Sequence, residues 1–227
     1  MRHDYTKIRY NDIRSFIYDK YAISKLNSNI ISIFSIDNLV GKDEFVKILK
    51  DFNVNYSNGG NSDIIPMQKN YLKFVSDDLD DGNQNYVFHN VLEDIAMLQV
   101  INTYLQPIQC GKQLRISRLY TGSKGSGTNI HNHSAAANYL VSGKKLWIVF
   151  PDNKHNTDFL IRNRCTYGNI SKSTKEWFSE YRYKLGREII DFELLTQVSG
   201  EIIIIPNNYY HAVINLSEVF GITYSWF

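Results

Sequence analysis

Along the first half of the chain, apolar residues recur at helical intervals. In residues 12–26, DIRSFIYDKYAISKL, Ile13, Phe16, Ile17 and Tyr21 fall on one stripe, which predicts a helix. In residues 42–52, KDEFVKILKDF, Phe45, Val46, Leu49 and Phe52 repeat the 3, 4, 7 spacing of a second amphipathic helix. Residues 91–105, VLEDIAMLQVINTYL, predict a third, with Leu92, Ile95, Leu98 (or Gln99) and Asn102 along one line. Between them, the turn-rich stretch NVNYSNGGNSD at 53–63 reads as a loop, and YVFHN at 86–90 as a short strand.

From residue 114 the period shortens. LRISRLYTG, TNIHNHS, ANYLVSG, KKLWIVFP, FELLTQVSG, EIIIIPNN, YHAVINLS and VFGITYSWF are short segments rich in apolar and β-branched residues, parted by Gly, Asn, Ser or Pro. That texture predicts a β-sandwich or barrel. One helix interrupts it: in STKEWFSEYRYKLG, Ser173 and Glu176 stand at capping-box spacing and Gly186 marks the stop. The pattern divides the chain into an N-terminal helical region, 1–70, packing on a mainly β domain with flanking helices, 71–227.

Composition narrows the class. The 227 residues are 43% hydrophobic, with 16 Tyr and 12 Phe, enough for a substantial core. A net charge of +2 gives no basic face for nucleic acid. Cys110 and Cys165 have no partners at metal-site spacing and read as free thiols of a reducing compartment. The N-terminus MRHDYTKIRYND lacks the apolar core of a signal peptide. The longest aliphatic run, IIIIP at 202–206, is too short to cross a bilayer. The expectation is a soluble intracellular protein with no membrane partner. The acidic run DDLDDGN fails as a calcium loop, because Leu79 and Phe88 fall where oxygen ligands are required.

Two of the six histidines carry the candidate chemistry. In a strand, side chains at i and i+2 point the same way, so His131 and His133 offer two imidazoles from one face. Two ligands of one metal ion need that geometry. His211, in PNNYYHAVIN after a turn, is the candidate third ligand. His3, His89 and His155 lie in polar or terminal contexts and read as surface residues. The letters HNH at 131–133 also name a nuclease motif, but its residues are spread over a ββα unit and need basic surroundings that are missing here.

The order of these elements resembles the Jumonji-C branch of the iron- and 2-oxoglutarate-dependent oxygenases, closest to its lysyl hydroxylase and arginine demethylase members. The resemblance covers roughly residues 71–227 and is carried by GSGTNIH, NYLVSGKKLWIVFP, EWFSEYR, GEIIIIPNNYYHAVINL and GITYSWF. It implies a double-stranded β-helix, the jelly-roll of cupins. It also implies an Fe(II) centre, 2-oxoglutarate as co-substrate, and ascorbate as a supporting reductant. The implied partners are a protein or peptide substrate oxidised at lysine or arginine, and a second copy of the chain as a homodimer. Carried over by position, the first metal ligand falls on His131 and the distal one on His211. The lysine that pairs with the far carboxylate of 2-oxoglutarate falls on Lys145. Thr223 supplies a supporting hydroxyl, and Asn138 and Tyr86 contact the co-substrate. Asn215 falls just outside them. Lys145, Trp147 and Val149 alternate on one strand face, so the lysine can point into a barrel, where a dicarboxylate offsets the cost of burying its charge.

One position departs from the family pattern, which places Asp or Glu where this chain has His133. Two histidines and a carboxylate leave an iron(II) centre at net +1, whereas three neutral imidazoles leave it at +2. Three outcomes follow: a 2-oxoglutarate oxygenase, a three-histidine dioxygenase acting on another substrate, or a zinc or nickel site in a binding scaffold without oxidation.

Overall fold

The computed structural model describes residues 8–10, 31–36, 40–57, 67–79, 84–105, 114–162, 173–185 and 191–226. The helix expected over 12–26 lies outside the described residues, as do Cys110, Cys165, His3 and Gly186.

Among the described residues, thirteen strands form two sheets. The strands are β1 (Ile8–Tyr10), β2 (Ser32–Ile36), β3 (Asn53–Ser57), β4 (Met67–Asn70), β5 (Tyr86–Asn90), β6 (Leu114–Gly122), β7 (Gly127–His131), β8 (Ala136–Ser142), β9 (Lys144–Phe150), β10 (Glu193–Val198), β11 (Glu201–Ile205), β12 (Tyr210–Asn215) and β13 (Val219–Trp226). The helices are α1 (Lys42–Leu49), α2 (Tyr71–Asp77), α3 (Ile95–Leu105), α4 (Lys154–Arg162) and α5 (Thr174–Leu185). The larger sheet runs β1-β2-β11-β8-β13-β6-β5-β3-β4, and the smaller runs β10-β9-β12-β7. The last eight strands fill two walls in the order of a double-stranded β-helix, β6, β13, β8 and β11 in one and β7, β12, β9 and β10 in the other, alternating except for the β9–β10 hairpin.

The layers explain the sequence texture. Ile202–Ile205 on β11 are at most 2% exposed, which requires cover on both faces. Ile202 and Ile204 join the outer core with Phe45, Leu49 and Phe74 of α1 and α2, while Ile203 and Ile205 pack inward with Trp147, Val149 and Val213. On the smaller sheet, Ile148, Phe150 and Ala212 face outward beneath Phe159 and Leu160 of α4 and Trp177 of α5. Each such isoleucine contributes on the order of 2 kcal/mol through burial. The faces left pointing between the sheets alternate along each strand, and they carry the polar residues described below.

Several expectations are revised. Asn53–Ser57 is a strand, not a loop: it pairs with β4 and β5 and extends the sheet at its edge. The first 70 residues therefore supply four strands and one helix of the described structure. Residues 91–105 begin as a 3-10 turn at Val91–Glu93, and α3 buries Met97 and Ile101 while Ile95 is 68% exposed. The turn shifts the helical phase, so the buried line is not the one read from Leu92. Helix α4 was not foreseen; Asn153 caps it by accepting from the Asn156 amide at 2.8 Å. The capping box at α5 is formed, with Ser173 N donating to Glu176 Oε2 at 2.9 Å and Glu176 N to Ser173 Oγ at 3.3 Å. His89 is 7% exposed, not a surface residue; its Nδ1 accepts from the Asn55 amide at 3.3 Å where β3 meets β5.

Gly127 opens β7 against β12, and a Cβ there would strike the Val213 carbonyl oxygen. Gly127→Ala is expected to force the two strands apart at a cost of about 1–3 kcal/mol. A shift of the urea midpoint to lower denaturant with an unchanged slope checks it.

Candidate metal centre

Strands β7 and β12 pair antiparallel, and their register sets His211 directly opposite His131, with an irregularity before Val213. His133 is not on the strand with His131, as expected, but two residues past its end. The loop is held there because the His133 carbonyl accepts from the Asn208 amide at 3.1 Å, in the turn that leads to β12. The ring centroids stand 4.3 Å apart for His131 and His211, 4.8 Å for His133 and His211, and 5.4 Å for His131 and His133. One ligand nitrogen from each lies within 4.8 Å of the other two, so small ring rotations bring all three onto one cation.

The tautomers are set by the main chain. His131 Nδ1 lies 2.7 Å from the Asn129 carbonyl, His133 Nδ1 2.6 Å from that of Ser134, and His211 Nδ1 2.9 Å from that of Tyr209. A carbonyl only accepts, so each Nδ1 carries the hydrogen and each Nε2 keeps its lone pair. An outer acceptor on the distal ring nitrogen orients metal-bound histidines in the same way. Burial pushes His131 down to about 4, with repulsion from His133 adding to it. Burial, then repulsion from the other two, holds His211 well below the usual histidine range. His133 sits exposed at the rim, and removal of its ring from water lowers it too. The cluster is three neutral donors near pH 7, a set that suits a divalent transition ion.

A polar cluster lies between the sheets alongside it. Lys145 is 1% exposed, and among the described residues its ammonium has no hydrogen-bond or ion-pair partner. Its ammonium lies 3.3 Å from the Tyr120 ring centroid and 5.8 Å from that of Trp147, and burial holds it well below the usual lysine range. Asn138 Nδ2 donates to Thr223 Oγ1 at 3.1 Å, across the β8–β13 pair that sets these residues opposite each other. Asn215 pairs with Lys145 across β12 and β9, and its buried Oδ1 has no hydrogen-bond partner. Tyr86 is 2% exposed and packs with Tyr120.

Two residues missed in the sequence join this cluster. Trp147 stands 5.9 Å from the His211 ring, and its indole N–H donates to Gln197 Oε1 at 3.0 Å. Tyr120 underlies Lys145. The only sign of Tyr120 in the sequence is indirect: its cross-strand neighbour on β13 is Gly221.

Antiparallel jelly-roll walls define a cupin-type fold, and three histidines converge on one of them in an arrangement that could hold a metal ion. Residues 118–226 match the family model described as JmjC domain, hydroxylase. These residues are similar to a JmjC domain, and over them the chain is similar to JmjC oxygenases and demethylases. The arginine-specific demethylase JMJ20 of Arabidopsis thaliana is 30% identical over 115 residues, 48% of this chain and 23% of that protein. The 2-oxoglutarate and iron-dependent oxygenase JMJD4 of Danio rerio is 30% identical over 115 residues, 48% of this chain and 26% of its own length. The lysine-specific demethylase JMJ21 of Arabidopsis thaliana is 28% identical over 111 residues, 46% of this chain and 12% of its own. The match thus spans about a quarter or less of these relatives. No helix among the described residues is long and apolar enough to cross a membrane.

In the unfolded chain these histidines take up protons near pH 6.5, whereas native His131 does so only at about 4. Between those values the unfolded state holds more protons, so the stability of the metal-free protein falls as pH drops through that window. Urea midpoints measured across it are expected to decline, and less steeply in His131→Ala. An unchanged slope in that variant would contradict the assignment.

Proposed function

We propose that this protein is an iron(II)- and 2-oxoglutarate-dependent oxygenase that hydroxylates or demethylates a protein side chain, lysine or arginine, at a three-histidine centre. The observation that supports this most is the unpaired ammonium of Lys145, buried between the same sheets that present three free Nε2 atoms. A buried cation without a counter-charge is costly, and a dicarboxylate offsets that cost. The names of the relatives agree with the chemistry and with a protein substrate.

In this reading His131, His133 and His211 hold the iron through Nε2. Lys145 and Thr223 receive the far carboxylate of the co-substrate, and Asn138 and Tyr86 line its path, with Asn215 behind them. The iron, when bound, supplies oxidation of a C–H bond by dioxygen coupled to decarboxylation of 2-oxoglutarate. The chain's own part is ligation, orientation and exclusion of water. The Nδ1–carbonyl bonds hold each ring in the tautomer that leaves Nε2 free, and Trp147 walls the space between His211 and Lys145. His133 at the rim faces the side from which a peptide side chain would approach.

His133 also supports a second reading. With no carboxylate ligand, the centre keeps the full +2 charge of its ion, and three imidazoles suit zinc as well as iron. A zinc-loaded, catalytically silent scaffold is the outcome that would replace the first reading.

Metal analysis of anaerobically purified protein, with succinate release assayed with iron(II), ascorbate and 2-oxoglutarate, separates the two. Wild type is expected to bind one iron, and His131→Ala and His211→Ala to lose it. Lys145→Ala is expected to keep the metal and to weaken 2-oxoglutarate binding at least about tenfold. Full metal content in both histidine variants would remove the site, and zinc retention without succinate would favour the scaffold. His133→Asp probes the departure, and a rise in its turnover would mark the natural residue as a handicap for oxidation.

A further inference from the structure

Resting on the co-substrate reading above, we propose that Tyr120 is the positioning residue of this pocket, holding both of its anchors through two different parts of one side chain.

The ring is the first part. Lys145 has no acid or carbonyl to fix its ammonium, and the Tyr120 face 3.3 Å away is its nearest electrostatic support. That contact holds the charged group at one point without neutralising it, so it can still meet a carboxylate. The hydroxyl is the second part. It donates to Asn138 Oδ1 at 2.7 Å and lies equally close, 2.7 Å, to the Tyr139 carbonyl. With the hydrogen donated to Asn138 Oδ1, the oxygen end of that amide faces Tyr120. The other end, Nδ2, then donates to Thr223 Oγ1 at 3.1 Å. With Oγ1 already accepting, the Thr223 hydroxyl keeps its hydrogen for an anion. The order Tyr120, Asn138, Thr223 thus makes a threonine a dedicated donor.

The surroundings are built for this reach. Tyr120 spans from β6 past β13 to β8, and a Cβ at Gly221 would collide with its hydroxyl and with the Tyr139 carbonyl. Tyr120 is 0% exposed, and burial drives its phenol well above the usual tyrosine range, so it stays a donor. Purely structural packing would need neither the amide nor the cation on its face.

The test is a double-variant cycle on 2-oxoglutarate binding, measured by calorimetry on zinc-loaded full-length protein with no turnover. Tyr120→Phe keeps the ring and removes the hydroxyl, and Thr223→Val removes the donor. Thr223→Val is expected to weaken binding about tenfold and Tyr120→Phe several-fold. The double variant is expected to bind no worse than Thr223→Val, because the hydroxyl acts through the threonine. Losses that multiply, or no loss in Tyr120→Phe, overturn the relay. A merely structural tyrosine gives the multiplied result. Tyr120→Leu, which also strips the ring from Lys145, is expected to lose more than Tyr120→Phe; equal losses overturn the ring's part. Wild-type protein that takes zinc and binds no 2-oxoglutarate sinks the reading beneath, and the proposal with it; binding by the wild type that Tyr120 variants leave unchanged sinks the proposal alone.

Discussion

The pairing of β7 with β12 is the constraint on which the rest depends. It sets His131 opposite His211, two residues eighty positions apart in the chain, and no other feature could bring them together. β12 is an inner strand of its wall, held between β9 and the edge strand β7, and both pack beneath the helices outside. Their alternation then decides everything else on that face. With His211 turned inward, Val213 and Asn215 must follow it, and the facing strand β9 answers with Val149, Trp147 and Lys145. The three-histidine face and the inward position of Lys145 are therefore consequences of one register.

Electrostatics divides the space between the sheets into two regions with opposite needs. At one end three imidazoles are kept neutral: burial disfavours a proton on each, repulsion from neighbouring histidines adds to it for His131 and His211, and Arg118 adds to it for His133. Further in, a lysine is buried against an aromatic face without an acid. No described acid enters the three-histidine cluster. The chain thus presents positive or lone-pair-rich groups and leaves negative charge to come from elsewhere. That complementarity, more than any single contact, links the geometry to a dicarboxylate and a divalent ion.

Much of this was legible in the sequence, for physical reasons. The β segments after residue 114 were visible because each is short, apolar and bounded by turn formers. The capping box of α5 was visible because Ser173 and Glu176 satisfy each other's amides at a fixed spacing. The burial of Lys145 could be read from alternation along KLWIV. Other features were hidden. Polar-rich NVNYS reads as a loop but folds as the strand next to the sheet's edge, because its partners β4 and β5 supply the pairing that its own composition does not. His89 looks solvated in YVFHN, yet the β3 addition covers it. His133 was expected to share a strand with His131, and only the Asn208 hydrogen bond shows what places it instead. Tyr120 carries no motif at all, since its importance lies in what crosses it from three other strands.

The three ligand rings are oriented by main-chain carbonyls, not by side chains. Substitution cannot delete a carbonyl, so the tautomers are immune to drift in the neighbouring residues. The same arrangement ties the ligands to the peptide path itself. The turn at 206–209 supplies both the carbonyl that aims His211 and the amide that tethers His133. Two of the three donors thus share one short segment of backbone, and whatever loosens that corner releases them together. The geometry of the three-histidine cluster and order at that corner are in this way one equilibrium, not two.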